Sequence, residues 1–165
     1  MSKPPVLVFL HGLESSGNGT KGCYFAERYP QMLRPDFSGD LSSRLSQLAT
    51  VVAEAQDLVL VGSSYGGLMA TVFAISHPHR VRRLVLLAPA LNFPECADYI
   101  DSSVSVATHL VIGRDDTVTP EAEVVPVARR LFTDLRLEVV GDDHLLHRTF
   151  PTLDWPALLH CREVR

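Results

Sequence analysis

"LVLVGSSYGG", residues 58–67, is the stretch that decides the fold. Its first four residues are continuously apolar and too few for a helix. Such a run is a strand buried on both faces, the kind found inside a parallel sheet. It stops at Gly62, and residues 68–76 are apolar on every side, as expected of a helix packed into the middle of a domain. Between them, Gly62-Ser63-Ser64-Tyr65-Gly66 fits G-x-S-x-G with Ser64 at its centre. A strand that reverses into a helix through one sharp turn strains the central residue's backbone. Side chains two places before and two places after would collide, so glycine is required at Gly62 and Gly66. The turn pushes Ser64 Oγ out of the sheet at a helix N-terminus, where the Tyr65 amide is free to donate. Ser63 points elsewhere, and Gly67 lets the helix pack close to a neighbouring strand. A phosphate-binding turn is the other reading, but the stretch lacks the lysine of a P-loop and the third-glycine spacing of a dinucleotide fingerprint.

Outward from this turn, strands and helices alternate. Residues 5–10, "PVLVFL", 83–89, "RLVLLAP", and 109–113, "HLVIG", are further buried strands, and 135–140, "LRLEVV", is the last. Residues 32–37, "MLRPDF", form a weak strand that Pro35 restricts to a sheet edge. Helices are expected from Thr20 to before Pro30, and after an Asp40 N-cap with Leu41, Leu45, Leu48 and Val52 at helical spacing. A further helix is expected from Thr119, which acts as its cap, and Pro126 should kink or restart it. A closing helix is expected over residues 156–161. Repeated strand–helix units give an α/β fold, a three-layer α/β/α sandwich with about six parallel strands, in one domain over residues 1–165. Ligands in such sheets bind beyond the carboxyl ends of the strands.

Those ends carry the chemistry. A nucleophilic Ser64 needs a base. Of seven histidines, His144 follows the last strand in "VVGDDHLLH" and lies at the active edge, with His147 as the fallback. His77, His79, His109 and His160 sit away from the tips, in structural or exposed positions. As a zinc pair, His144 and His147 lack further ligands. The base needs an orienting acid, and "VIGRDDTVTP" sets Asp115 and Asp116 just past another tip. A polar turn capped by Thr119 is the other reading of that pair. The first strand runs into "HGLESSGNG". There the Leu13 amide can converge with that of Tyr65 on a developing oxyanion. His11 fixes this loop, and Ser15 and Ser16 are polar loop residues near it. Ser, Asp and His occur in the chain order of a hydrolase sheet.

With these pieces the chain resembles the α/β-hydrolase superfamily over nearly its whole length. The matching parts are His11-Gly12-Leu13, Gly62-Ser63-Ser64-Tyr65-Gly66, residues 116–120 "DTVTP", and His144. The family's acid sits in Gly-x-x-Asp-x-Val-x-Pro. Counting from Gly113, that is Asp116 rather than Asp115. "HGLESSG" is similar to the first loop of small capless single-domain bacterial serine esterases. The resemblance implies a reduced hydrolase sheet that starts at the family's third strand. Residues 90–105 are too few for a cap domain, so the site is expected to be open. It implies a serine hydrolase of carboxylic esters or thioesters: catalytic Ser64, Asp116 and His144, an oxyanion hole of the Leu13 and Tyr65 amides, and no metal or organic cofactor. Amide or peptide cleavage on the same triad, or a catalytically idle binding protein of the same fold, are the alternatives.

Composition sets the bounds. The chain has 165 residues, is 46% hydrophobic and carries a formal charge of -4. That charge argues against nucleic acid and against an anionic membrane surface as partners; the small-molecule acyl ester or thioester expected as partner is what the resemblance implies. No run approaches the roughly 20 apolar residues of a membrane span. A cytoplasmic location is expected, with Cys23, Cys96 and Cys161 as reduced thiols.

Overall fold

A computed structural model describes residues 3–160 of the chain. Five parallel strands, β1 (Val6–Leu10), β2 (Leu58–Ser63), β3 (Val81–Leu87), β4 (Ala107–Gly113) and β5 (Leu135–Val140), form one sheet in chain order. Side chains alternate across it with period two. Val8, Leu10, Leu58, Leu60, Leu84 and Leu86 enter one apolar layer. Leu7, Phe9, Val59, Val61, Val85 and Leu87 enter the other. Helices α2 (Leu41–Val52), α3 (Tyr65–Ser76) and α4 (Glu121–Leu131) cover the first face, while α1 (Thr20–Arg28) and α5 (Trp155–Leu159) cover the second. Among the described residues no helix is long and apolar enough to cross a membrane.

The sheet has five strands rather than about six, and one proline explains the difference. Residues 32–37 start to pair with the outer edge of β1: Leu33 N–H donates to Leu7 O at 2.9 Å, and Phe9 N–H donates to Leu33 O at 2.8 Å. The next donor in a parallel ladder would be residue 35, two places on, and Pro35 has no N–H. Pairing ends as an isolated bridge, and the edge is closed off.

Several helix boundaries follow from local chemistry. Asp40 caps α2 by accepting Ser43 N–H at 2.8 Å. Helix α3 is buried from Tyr65 to Ala74, all round, at the centre of the molecule. The α4 cap differs from expectation. Pro120 holds the N-cap position and the helix starts at Glu121, because the Thr119 hydroxyl is turned inward toward Asp116. Pro126 does not break α4 either. Val124, Ala128 and Leu131 bury both halves of the helix against the sheet, while Ala122 and Pro126 lie on the exposed face. The Ala122 carbonyl that loses its i+4 donor therefore has water available. Helix α5 spans Trp155–Leu159 and ends at His160, which has a φ of 55°. Cys161, expected as its last residue, lies outside the described residues, and Cys23 and Cys96 are free thiols. Residues 88–106, between β3 and β4, hold one short 3-10 turn at Pro94–Tyr99 and no cap domain.

Because α4 retains a proline at an exposed interior position, Pro126→Ala should stabilise the fold by about 1–3 kcal/mol. Urea unfolding of the two proteins checks this, and an unchanged or lower midpoint would show that Pro126 imposes no cost in α4.

Candidate active site

Ser64 lies between β2 and α3 with φ 54° and ψ -117°, a left-handed backbone that costs a non-glycine residue about 1–3 kcal/mol. The glycines around it are demanded by contact. A Cβ on Gly62 would meet Gly66 O at 2.4 Å, and one on Gly66 would meet Leu10 O at 1.9 Å. The end of β1 is thus packed directly on the turn, and Gly12 lies beside Ser64, where its Cβ would be 3.3 Å from that of Ser64. Gly67 meets Pro89, just past β3, so the helix start is wedged against the neighbouring strand.

The loop after β1 is held by His11, which is 2% exposed. Phe37 N–H donates to its Nε2 at 2.8 Å, so Nδ1 carries the proton and donates to Gly12 O at 2.6 Å. Both ring nitrogens are consumed by backbone, which makes His11 a brace. Among the described residues the Leu13 and Tyr65 amides make no hydrogen bond to the protein.

Two more loops bring an imidazole and a carboxylate to Ser64. His144 Nε2 lies 3.1 Å from Ser64 Oγ, and its Nδ1 lies 2.8 Å from Asp116 Oδ2. The Asp116 side chain is fully buried. Its Oδ1 accepts the amides of Val118 at 2.9 Å and Thr119 at 2.7 Å, and its Oδ2 also accepts the Thr119 hydroxyl at 2.7 Å. Asp115 is exposed, and its amide donates to Asp142 O at 3.1 Å. His147 points to solvent and pairs with Asp143 at 2.8 Å. Ser63 ends β2 without a place in the Ser64–His144–Asp116 chain, and Ser16 accepts the Asn18 amide within its own loop. His109 is buried beside Glu138 at 3.2 Å, far from the strand tips. Burial lowers the His109 pKa, with Glu138 opposing. No group of three or more His, Cys, Asp or Glu side chains able to hold a metal ion occurs among the described residues.

Two contributors escaped the sequence reading. Thr119 is a partner of Asp116, and only an inward rotamer of the residue before Pro120 produces that contact. Asp142 is 2% exposed and gathers the loop that carries His144. Its Oδ1 accepts the Asp143 amide at 2.8 Å, and its Oδ2 accepts those of Arg148 at 3.0 Å and Thr149 at 2.8 Å. Burial alone would raise its pKa, but these donors outweigh burial and hold the carboxyl below the ordinary carboxylate range. Gly113 lets this loop close on the Asp116 loop, since a Cβ there would meet Asp142 O at 2.2 Å.

The site is also less open than the absence of a cap implies. Ser64 and His144 border a cavity of about 930 Å³, walled by α1 on one side and by residues 144–151 on the other. Tyr24, Leu145, Leu146 and Phe150 supply its apolar lining. Leu13, 46% exposed, lines both this cavity and a second hollow of about 700 Å³ bordered by Tyr65 and Glu95.

Comparison with known proteins places this geometry in context. The family described as alpha/beta hydrolase fold matches residues 54–107, from before β2 to the start of β4. The 2-hydroxy-6-oxo-2,4-heptadienoate hydrolase of Pseudomonas putida is 34% identical over 90 residues, covering 46% of this chain and 32% of that protein. The chain therefore spans about a third of that relative's length. Among solved structures, Est1E from Butyrivibrio proteoclasticus superposes with a TM-score of 0.78 at 18% identity, covering 96% of this chain and 86% of its own. Alpha/beta hydrolase domain-containing protein 10 from mouse gives a TM-score of 0.71 at 19% identity, with coverages of 97% and 87%. These structural likenesses are likenesses of fold.

The Asp142 clamp makes a specific prediction. Asp142→Ala should cost about 2 kcal/mol of stability at pH 7, from three lost amide partners, and should lower activity by loosening the His144 loop. The folded carboxyl titrates below its unfolded value of ~3.9, so its contribution is complete above that value and disappears as pH falls through the folded one. Thermal melts of both proteins should therefore differ at pH 7 and converge toward pH 2. A constant difference across that range would rule out an ionic clamp.

Proposed function

We propose that this chain, which has the α/β-hydrolase fold, is a serine hydrolase that cleaves carboxylic esters or thioesters through an acyl-enzyme. One observation carries the reading: Ser64 Oγ, His144 and the buried Asp116 form an unbroken hydrogen-bonded chain, with links of 3.1 and 2.8 Å, at the edge of a cavity sized for a small molecule. Ser64 attacks the acyl carbon while His144 Nε2 takes its proton. Asp116, held by two amides and a hydroxyl, keeps the His144 proton on Nδ1 and stabilises the imidazolium that forms. The unengaged amides of Leu13 and Tyr65 are the donors for the tetrahedral oxyanion. Collapse returns the proton from His144 to the departing alcohol or thiol. Water, activated by the same imidazole, then releases the acid and restores Ser64. The Thr119 hydroxyl shares Asp116 Oδ2 with His144, which limits the carboxylate to one orientation.

A fluorophosphonate probe should label Ser64, mapped by mass spectrometry, and Ser64→Ala should lose labelling and on the order of 10⁶-fold in kcat, as triad serines do. Ser63→Ala should keep most of both. Labelling elsewhere, or an active Ser64→Ala, would overturn the assignment. The two aspartates separate as sharply. Asp116→Asn should cost about 10⁴-fold in kcat, the loss found in the serine-protease template when the tautomer is no longer held. Asp115→Asn, at an exposed turn position, should cost about tenfold at most, which is ~1.4 kcal/mol. Steady-state kinetics on a small aryl ester measure both, and a larger loss at Asp115 would assign the acid there.

A further inference from the structure

The cavity beside Ser64 contains a cation with no carboxylate of its own. Lys21, on the first turn of α1, lines the cavity wall, and its Nζ donates to the Leu145 carbonyl at 2.7 Å and lies 5.4 Å from the centre of the Phe150 ring. No carboxylate lies within salt-bridge distance of it among the described residues. The other basic side chains on this wall already have partners. Arg28 meets Glu27 at 3.3 Å and lies over the Tyr24 ring, and His147 meets Asp143 at 2.8 Å. The carboxylates whose charge acts on Lys21, Asp143 and Asp142, are committed elsewhere. Asp142 accepts three amides, and Asp143 serves Leu145 N–H and His147. Glu14, on the same rim, is exposed to water. Burial pushes the Lys21 ammonium below its ordinary pKa, and the more distant charges of Asp143 and Asp142 only partly oppose this.

A half-buried ammonium in a mainly apolar cavity, with one backbone acceptor for three N–H donors, gives up part of its hydration and has no carboxylate in contact. A ligand that brings the counter-charge recovers that loss. We propose that the cavity beside Ser64 takes substrates bearing a carboxylate in addition to the acyl bond to be cleaved, and that Lys21 binds this second carboxylate. This inference rests on the serine-hydrolase reading for the identity of the acyl bond, but the anion site itself is testable as binding alone.

The probes are phenyl half-esters of dicarboxylic acids from succinate to suberate, each beside its uncharged carboxamide counterpart, and a second series of ω-acetoxy acids with their carboxamides. The two series put the charge on either side of the ester. Affinities are measured by NMR titration in the Ser64→Ala protein, which does not turn them over. At least one anionic member should bind about tenfold more tightly than its neutral twin, the size expected of one charge-assisted hydrogen bond. Adding Lys21→Met, which keeps the apolar stem, should bring the anionic and neutral affinities together, while Lys21→Arg should retain their difference. Raising the salt concentration should shrink the preference in the parent protein, a reading that does not depend on any Lys21 variant folding. Equal affinities for charged and neutral twins, a preference that survives Lys21→Met, or one indifferent to salt would each overturn the proposal. A Lys21→Met variant that weakens both twins alike and keeps their difference would limit Lys21 to tethering the His144 loop and overturn the proposal. Fluorophosphonate labelling of Ser64 in the parent protein is scored separately, so failure of the hydrolase reading and failure of the anion site give different results.

Discussion

Everything at the site depends on one backbone reversal, the passage from β2 into α3 through Ser64 at φ 54°. The strain there is supported by packing from three sides. The end of β1 presses on Gly66, Pro89 presses on Gly67, and the buried shaft of α3 is locked into the centre of the molecule. Ser64 O accepts the amides of Gly67 and Ala90, and Ser64 N–H donates to Leu87 O. The residue is tied by its own backbone to both its helix and the neighbouring strand end. A serine on a freely moving loop would not hold its hydroxyl at a fixed distance from a histidine that is 80 residues away.

The partners of Ser64 are placed by the same economy of backbone donors. Asp116 and Asp142 are buried acids, and each is surrounded by amides of its own or an adjoining loop. Buried carboxylates with amide donors at hydrogen-bond distance hold the loops that supply those donors. Asp116 is pinned so that one oxygen is left for His144, and Asp142 folds residues 142–149 so that His144 projects toward Ser64. The two loops meet where Gly113 lets them approach. Asp116 and His144 therefore belong to one hydrogen-bonded unit that caps the ends of β4 and β5.

The cavity has a different origin. Phe25 meets Phe150 and Trp155 edge-to-face, these two meet each other tilted, and this packing holds α1 and the residues before α5 as walls beside Ser64. A helix from the start of the chain and a turn from its end thus enclose the space that a separate cap would cover. Lys21 is part of this closure, since it joins the start of α1 to the carbonyl of the residue after His144.

The sequence by itself determined the five buried strands, the sharp turn at Ser64 and which residues stand at the strand tips, because each is local. Strand burial is written as apolar runs, and the reversal at Ser64 as glycines at set offsets. The Gly113 count separates Asp116 from Asp115, which stands exposed. Edge pairing was less legible, since residues 32–37 have strand-like side chains, and only the geometry of the ladder shows that the missing Pro35 N–H is the next donor required. Thr119 could be a cap or a partner of Asp116 with the same sequence, and its rotamer decides between them. The Asp142 clamp, the aromatic wall and the Lys21 ammonium without a carboxylate in contact belong to the tertiary structure alone. Each depends on where residues more than a helix turn apart come to lie, on which polar groups find partners there, and on which are left without one. Those are properties of packing in three dimensions, and neither periodicity nor spacing along the chain records them.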